Sequence, residues 1–419
     1  AKYGGGIFLI IYIVLALTFG YTMIVAETAI GRMTRKSPVG AFKSFGKKKW
    51  LSFGGWINAV IPVLIVPYYS VIGGWVIKYL VEYFRGNAKL LAEDGYFTDF
   101  ISNGVSTELC FVAFCAFTLI IIFAGVQNGI ERVSKIMMPI LIVLSVIIAV
   151  YSVTRPGALA GVKYFLVPNV KNFSWMTVVS AMGQMFYSLS IAMGILITFG
   201  SYMKKDTAIE DSTRNVEIFD TGIAIMAGLM IIPAVFAFSG GDPDTLQAGP
   251  SLMFITIPKV FQNMGFGTVI GIVFFLLVLF AAVTSSIALT ESAVSTFEDE
   301  LGWGRKKATV LVGVIMLALG SLSSLGYGPL AGIKIIGMQF LDLFDFLTNS
   351  VMMPIAALLT SLFVSRVVGI DKIEAEIIHG ESAFRRKKVF VVMIKYLCPV
   401  FAIIILLSSV ANALGWIKM

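Results

Sequence analysis

The chain is built from long apolar runs separated by short polar stretches. Ten blocks are readable, at about 6–31, 53–83, 109–127, 133–153, 174–202, 218–239, 266–297, 308–324, 338–366 and 389–413. An α-helix needs about 20 apolar residues to cross a bilayer, so each block predicts one membrane span. Several blocks exceed that length, which implies tilt, a kink or extension into solvent. Two intervening loops are long. Residues 84–108 are polar and acidic; residues 239–264 hold Gly240, Gly241, Pro243, Gly249, Pro250 and Pro258 and predict a folded lid. With no low-complexity segment and no separate soluble region, residues 1–419 read as a single transmembrane domain.

Composition narrows the class. Apolar residues make up 58% and charged residues 13% of the chain, against roughly 45–50% and about 25% in soluble domains. A soluble enzyme, a disordered protein and a disulfide-stapled secreted domain are excluded, and the fold class is an all-α polytopic membrane protein. The net charge of +8 points to the positive-inside rule and not to nucleic acid. Of the 32 Lys and Arg residues, 21 fall in one set of alternate loops and nine in the other, which makes the first set cytoplasmic. Cys110, Cys115 and Cys398 lie inside apolar runs, and His379 is the single histidine, so metal or histidine catalysis has almost no material and no enzyme is expected. Ten spans place both ends outside. The chain starts at Ala1 without a signal-like region, and the expectation is that at least one upstream helix is missing from this sequence.

A polar group inside a span is costly and is a functional candidate by default. Glu27, in AETAIGR, is either a site carboxylate or a helix-end group paired with a cation such as Arg32. Tyr12, mid-block, needs a partner for its hydroxyl. The fifth block, SAMGQMFYSLSIAMGILITFGSY, brings Gln184, Ser188 and Ser190 to mid-membrane just before Ala192, Met193 and Gly194. That pattern suits a discontinuous helix whose freed carbonyls and amides bind an ion or a zwitterion; Gly183 and Gly194 alternatively serve close packing. In the seventh block Thr284, Ser285 and Ser286 are consecutive. Single hydroxyls commonly bond back to their own helix, but three in a row, with a backbone carbonyl, offer oxygen ligands to a hard monovalent cation. Asp220 begins the sixth block. Asp345, in LDLFDF, begins the ninth, either as a gate or as a carboxylate favoured by the helix dipole.

The segments KYGGGIFLIIYIVLALTFGYTMIVAETAIGR, NGIERVSKIMMP, GQMFYSLSIAMG, FITIP, AAVTSSIAL with FEDEL, and LDLFDF stand in the order of the neurotransmitter:sodium symporter family. The chain most resembles its bacterial amino-acid transporters. The resemblance implies the LeuT-type inverted-repeat fold, with the ten blocks similar to helices 2–11 of an 11-helix transporter and helix 1 absent. Residues 1–153 would be the remainder of the first repeat, 174–366 the second, and 389–413 an extra C-terminal helix.

The same resemblance implies roles. Tyr69 would bond the substrate carboxylate, with Ile65, Tyr187, Ser190, Met193, Ser286 and Leu289 around the substrate; Ala192 stands where the family is expected to carry Gly. Sodium would be held at a first site by Ser188 and Asp220, and at a second by the Ala281 carbonyl with Thr284 and Ser285. Tyr12, Gln184 and Ser188 match the family's chloride donors, but Ala224 lacks the hydroxyl of the fourth. A fixed carboxylate from Asp220 or Glu27 would replace the anion, so chloride is not required. Asp345 resembles the external gate, Tyr202 and Asp299 the internal gate, and Gly129 and Pro139 a pair linked to local unwinding.

The expected function is sodium-coupled symport of a hydrophobic or aromatic amino acid by alternating access across the plasma membrane, that of a bacterial inner membrane. Two sodium sites, a monomer or weak homodimer, and no nucleic-acid partner complete the picture. The alternatives are a non-transporting fragment, or a membrane ligand sensor or channel on the same scaffold.

Overall fold

The computed structural model describes residues 4–241 and 249–413. Its main helices, in chain order, are α1 (Gly6–Thr34), α2 (Lys49–Phe84), α3 (Gly104–Phe123), α4 (Val126–Val153), α5 (Trp175–Ser188), α6 (Ile195–Tyr202), α7 (Ile209–Ser239), α8 (Gly267–Leu301), α9 (Arg305–Leu325), α10 (Phe340–Val368) and α11 (Lys387–Asn412). Among the described residues nine of these are long and apolar enough to span a membrane. The tenth apolar block is the pair α5 and α6, interrupted at residues 189–194. α5 lies along Gly6–Leu15 and α6 along Tyr21–Thr34, so the pair follows α1 across in the same direction.

Small residues let α6 press against α1. A Cβ on Gly31 would stand 2.0 Å from the Ile197 carbonyl oxygen, and one on Gly200 would stand 2.5 Å from that of Thr28. Glycine lets the two backbones touch, the usual means of joining helices where lipid removes the hydrophobic drive. α2 packs on α3, α8 and α9, α7 on α4, and α10 on α11.

The long loops hold short helices of their own, Ala88–Leu91 and Tyr96–Ser102 in one and Leu252–Gln262 in the other. Part of the expected lid, residues 242–248, lies outside the described residues. The Lys259 ammonium touches Asp94 and holds that carboxyl below its ordinary range. Beneath, Trp75, Tyr79, Phe97, Phe254 and Phe275 form an aromatic cluster, and the Tyr79 hydroxyl donates to the Phe254 carbonyl at 2.8 Å. Tyr79→Phe removes that buried hydrogen bond and is expected to cost about 1–2 kcal/mol, read as a lowered unfolding midpoint in detergent.

The basic side is tied by charge. Arg32, fully buried, meets Glu376 at 2.7 Å and donates to the Thr207 and Glu376 carbonyls, and Lys205 meets Glu376 at 2.8 Å. Glu210 accepts the Tyr21 hydroxyl at 2.6 Å and the Arg385 and Arg386 N–H groups at 2.8 and 2.9 Å, and Arg386 pairs with Glu217 at 2.8 Å. The segment between α10 and α11 is thereby fastened to the ends of α1 and α7. Pairing of Glu27 with Arg32 is not what the structure holds, since Arg32 is consumed by Glu376.

Candidate functional site

The interruption between α5 and α6 is a local backbone event. Ser190, Ala192 and Gly194 take φ of 54°, 58° and 70°. A left-handed L-residue costs roughly 1–2 kcal/mol, so Ser190 and Ala192 must be held by their surroundings. The holder is Glu27. It is fully buried on α1, and one carboxylate oxygen accepts the Ala192 N–H at 2.9 Å. The gap therefore forms although Ala stands where Gly was expected. Gly194 has no substitute, because a Cβ there would meet Pro38 at 2.7 Å and the Asn58 carbonyl oxygen at 2.8 Å. Gly183, by contrast, has nothing within 4 Å of its would-be Cβ and is no packing glycine.

Beside the gap three predicted residues converge from three helices. Tyr12 donates to Asp220 at 2.6 Å, Ser188 donates to the other Asp220 oxygen at 2.6 Å, and the two hydroxyl oxygens lie 3.0 Å apart. Asp220 makes no ion pair among the described residues, so its charge is held by two hydroxyl donors and balanced by no protein cation. Gln184, one turn before Ser188, is exposed and makes no side-chain hydrogen bond among the described residues; the structure does not join it to this cluster.

On α8 the Thr284 hydroxyl bonds back to the carbonyls of Phe280 and Ala281 at 3.1 and 3.0 Å, while Ser285 is exposed. Ser286 faces the other way. It is fully buried and accepts the Thr118 hydroxyl of α3 at 3.2 Å, so the structure gives it a packing partner away from its expected place at the substrate. Ile65, Met193 and Leu289 are buried in one continuous cluster with Tyr69 packed on its edge, and Tyr187 is 37% exposed.

Each end of this region carries a charged group. Asp345 accepts the Tyr68 hydroxyl at 3.2 Å and the Asn349 amide at 2.5 Å. On the basic side Tyr202 and Asp299, both expected at the internal gate, have separate partners. The Tyr202 hydroxyl donates to Glu291 at 2.8 Å, and Arg305 grips the same carboxylate through two bonds of 3.0 and 2.5 Å. Asp299 accepts the Ser37 N–H at 2.5 Å, at the start of the short helix Pro38–Lys43. Sequence reasoning missed Glu291, although a carboxylate six residues after Ser285 on the same apolar helix was a visible signal. It also missed Tyr68, overshadowed by Tyr69. Pro139 lies inside α4, and a Cβ on Gly129 would stand 2.2 Å from the Ile121 carbonyl oxygen.

Known proteins are similar to the chain over nearly its whole length. Residues 1–91 and 97–416 match the model of the "Sodium:neurotransmitter symporter family". The chain is 33% identical over 411 residues to the sodium-dependent transporter YhdH of Bacillus subtilis, covering 97% of this chain and 90% of that protein. It is 30% identical over 423 residues to a sodium-dependent transporter of Haemophilus influenzae, covering 97% and 91%. The solved structure of MhsT in complex with L-phenylalanine is similar with a TM-score of 0.86 and 33% identity, over 97% of this chain and 92% of that one.

Proposed function

We propose, for a chain that belongs to the sodium:neurotransmitter symporter family, that it couples sodium entry to symport of a hydrophobic or aromatic amino acid by alternating access. That it is a sodium-dependent multi-pass membrane transporter and not an enzyme follows from the family. The amino-acid substrate, the ion sites and the plasma membrane, that of a bacterial inner membrane, are our reading.

The observation that carries it is Asp220, a carboxylate with two hydroxyl donors and no cationic partner among the described residues, beside an interrupted helix. A hard monovalent cation fits such oxygen-rich surroundings. Asp220 and Ser188 form the first sodium site. The Ala281 carbonyl with Thr284 and Ser285 forms the second, once Thr284 turns its hydroxyl from its own helix. The gap ends are polarised: α5 points its carbonyl end, and α6 its N–H end, into the interruption. A zwitterion sets its carboxylate toward α6 and Tyr69 and its ammonium toward α5 and Ser190. Asp345 gates the far side, and the Tyr202, Glu291 and Arg305 cluster the basic side. The two inverted repeats, to about residue 153 and over 174–366, rock about this centre, and the chain works as a monomer or weak homodimer. MhsT's binding of L-phenylalanine supports the substrate class.

Ile65, Tyr187, Met193 and Leu289 make a wall that is apolar apart from one phenol. A charged side chain there is unpaired and costs several kcal/mol. In proteoliposomes with an inward sodium gradient, leucine, methionine, tyrosine or tryptophan should compete for labelled leucine far better than glycine, glutamate or lysine. Met193→Phe overpacks the wall by roughly 1–3 kcal/mol and should penalise tryptophan more than alanine. Best competition by glutamate or glycine would remove the substrate assignment; equal treatment of tryptophan and alanine would remove Met193 from the pocket.

A further inference from the structure

Away from the transport path, a cavity of about 530 Å³ opens where α3 and α9 meet, on the side opposite the basic one. Its walls are Val105, Leu109 and Val112 of α3, with Leu325 and Pro329 at the end of α9, and its single charged lining group is Glu108. Val105 and Leu109 are 73% and 68% exposed, on the flank a bilayer covers. Below the cavity the exposed residues Val310, Val314 and Leu317 continue along the face of α9 that carries Ser321.

Glu108 accepts the Ser321 hydroxyl through one oxygen. The other oxygen is buried and has no partner among the described residues. A buried acceptor without a donor is costly, and a carboxylate on a lipid-facing helix more so. The helix start beside it is capped by Asn103, which accepts the Ser106 N–H at 3.1 Å. The open group is thus a negatively charged acceptor, and the missing partner is a cationic N–H donor. Glu108 sits only four residues into α3, about 6 Å along the axis, and a helical side chain leans toward its own N-terminus. That height belongs to headgroups.

We infer that this cavity is a lipid site, occupied by an outer-leaflet diacyl lipid with a primary ammonium headgroup of the ethanolamine type. On binding, the Glu108 carboxylate turns its unpartnered oxygen out to accept from the ammonium, and an acyl chain lies along Val105, Leu109 and Val112. A quaternary ammonium has no N–H to give, and an anionic headgroup meets like charge, so the site distinguishes headgroups as well as holding tails.

The test is native mass spectrometry of the purified chain in detergent. It is titrated with phosphatidylethanolamine, phosphatidylcholine and phosphatidylglycerol of identical acyl chains. The expected result is about tenfold tighter retention of the ethanolamine lipid, in line with one charge-assisted hydrogen bond. Glu108→Gln should reduce that preference to within about twofold, and Val112→Trp should weaken all three lipids alike by filling the cavity. Should Glu108→Gln fail to fold, Ser321→Ala replaces it as the reporter: it frees the second carboxylate oxygen and should keep or raise the preference. Equal retention of the three lipids by the wild type, an undiminished preference in Glu108→Gln, or stronger competition by a single-chain alkylamine than by the diacyl lipid would each overturn the assignment.

Discussion

Sodium-driven uptake by an Asp220→Asn variant is expected to fall by roughly 100-fold or more. The carboxylate takes two short hydroxyl bonds, from Tyr12 and Ser188. An Asn side chain can accept only one of them well and turns an N–H₂ toward the other donor. Hydrogen bonds to a charged group contribute about 1.5–3 kcal/mol each, so losing their charge assistance, with the charge that attracts the cation, reaches that size. The half-saturating sodium concentration should rise in parallel. In the unaltered protein, replacing chloride with gluconate should leave uptake unchanged, as the proposed counter-charge role of the carboxylate requires. An abrupt loss in gluconate, or near-normal sodium dependence in Asp220→Asn, would show that the ion is held elsewhere.

Arg305→Met should be the more damaging change for the fold. Glu291 is fully buried and shares its charge with Arg305 and with the Tyr202 hydroxyl. Removing one partner of a buried pair leaves an uncompensated charge and costs about 3–5 kcal/mol, whereas removing both partners is far milder. The double variant Arg305→Met with Glu291→Met should therefore regain much of the unfolding midpoint lost by the single one. Tyr202→Phe removes only a hydroxyl and should cost about 1 kcal/mol. If the single and double variants unfold alike, the pair does not bear on stability, and the basic-side closure rests on other contacts.

Apolar blocks made the spans legible, because only a helix satisfies its own backbone in lipid. Apolarity alone could not separate a continuous helix from a broken one; the polar residues Gln184, Ser188 and Ser190 just before Gly194 suggested the break that the structure has at residues 189–194. Convergence of Tyr12, Ser188 and Asp220 was legible through family likeness, and their costly polarity in a membrane marked them independently. Partner choice was not. Glu27 sits five residues before Arg32 in sequence, yet it serves the Ala192 N–H while Arg32 reaches Glu376, 344 residues away. Ser286 looked like a third site hydroxyl, and helix rotation turned it to Thr118. Such choices depend on where distant segments arrive, which local pattern does not encode.

The eight residues of α6 are too few to be helical by their own propensity, since an isolated helix shorter than about 12–15 residues is marginal. Its order is borrowed from α1, through the backbone contact at Gly31 and Gly200. The two therefore form one lever. Whatever displaces the basic end of α1 carries α6 and the Tyr202 hydroxyl with it, and α6 cannot swing alone without melting. The joint of that lever is the six-residue interruption, where no helical ladder resists bending and where Glu27, itself on α1, keeps a grip on the Ala192 N–H as the lever turns.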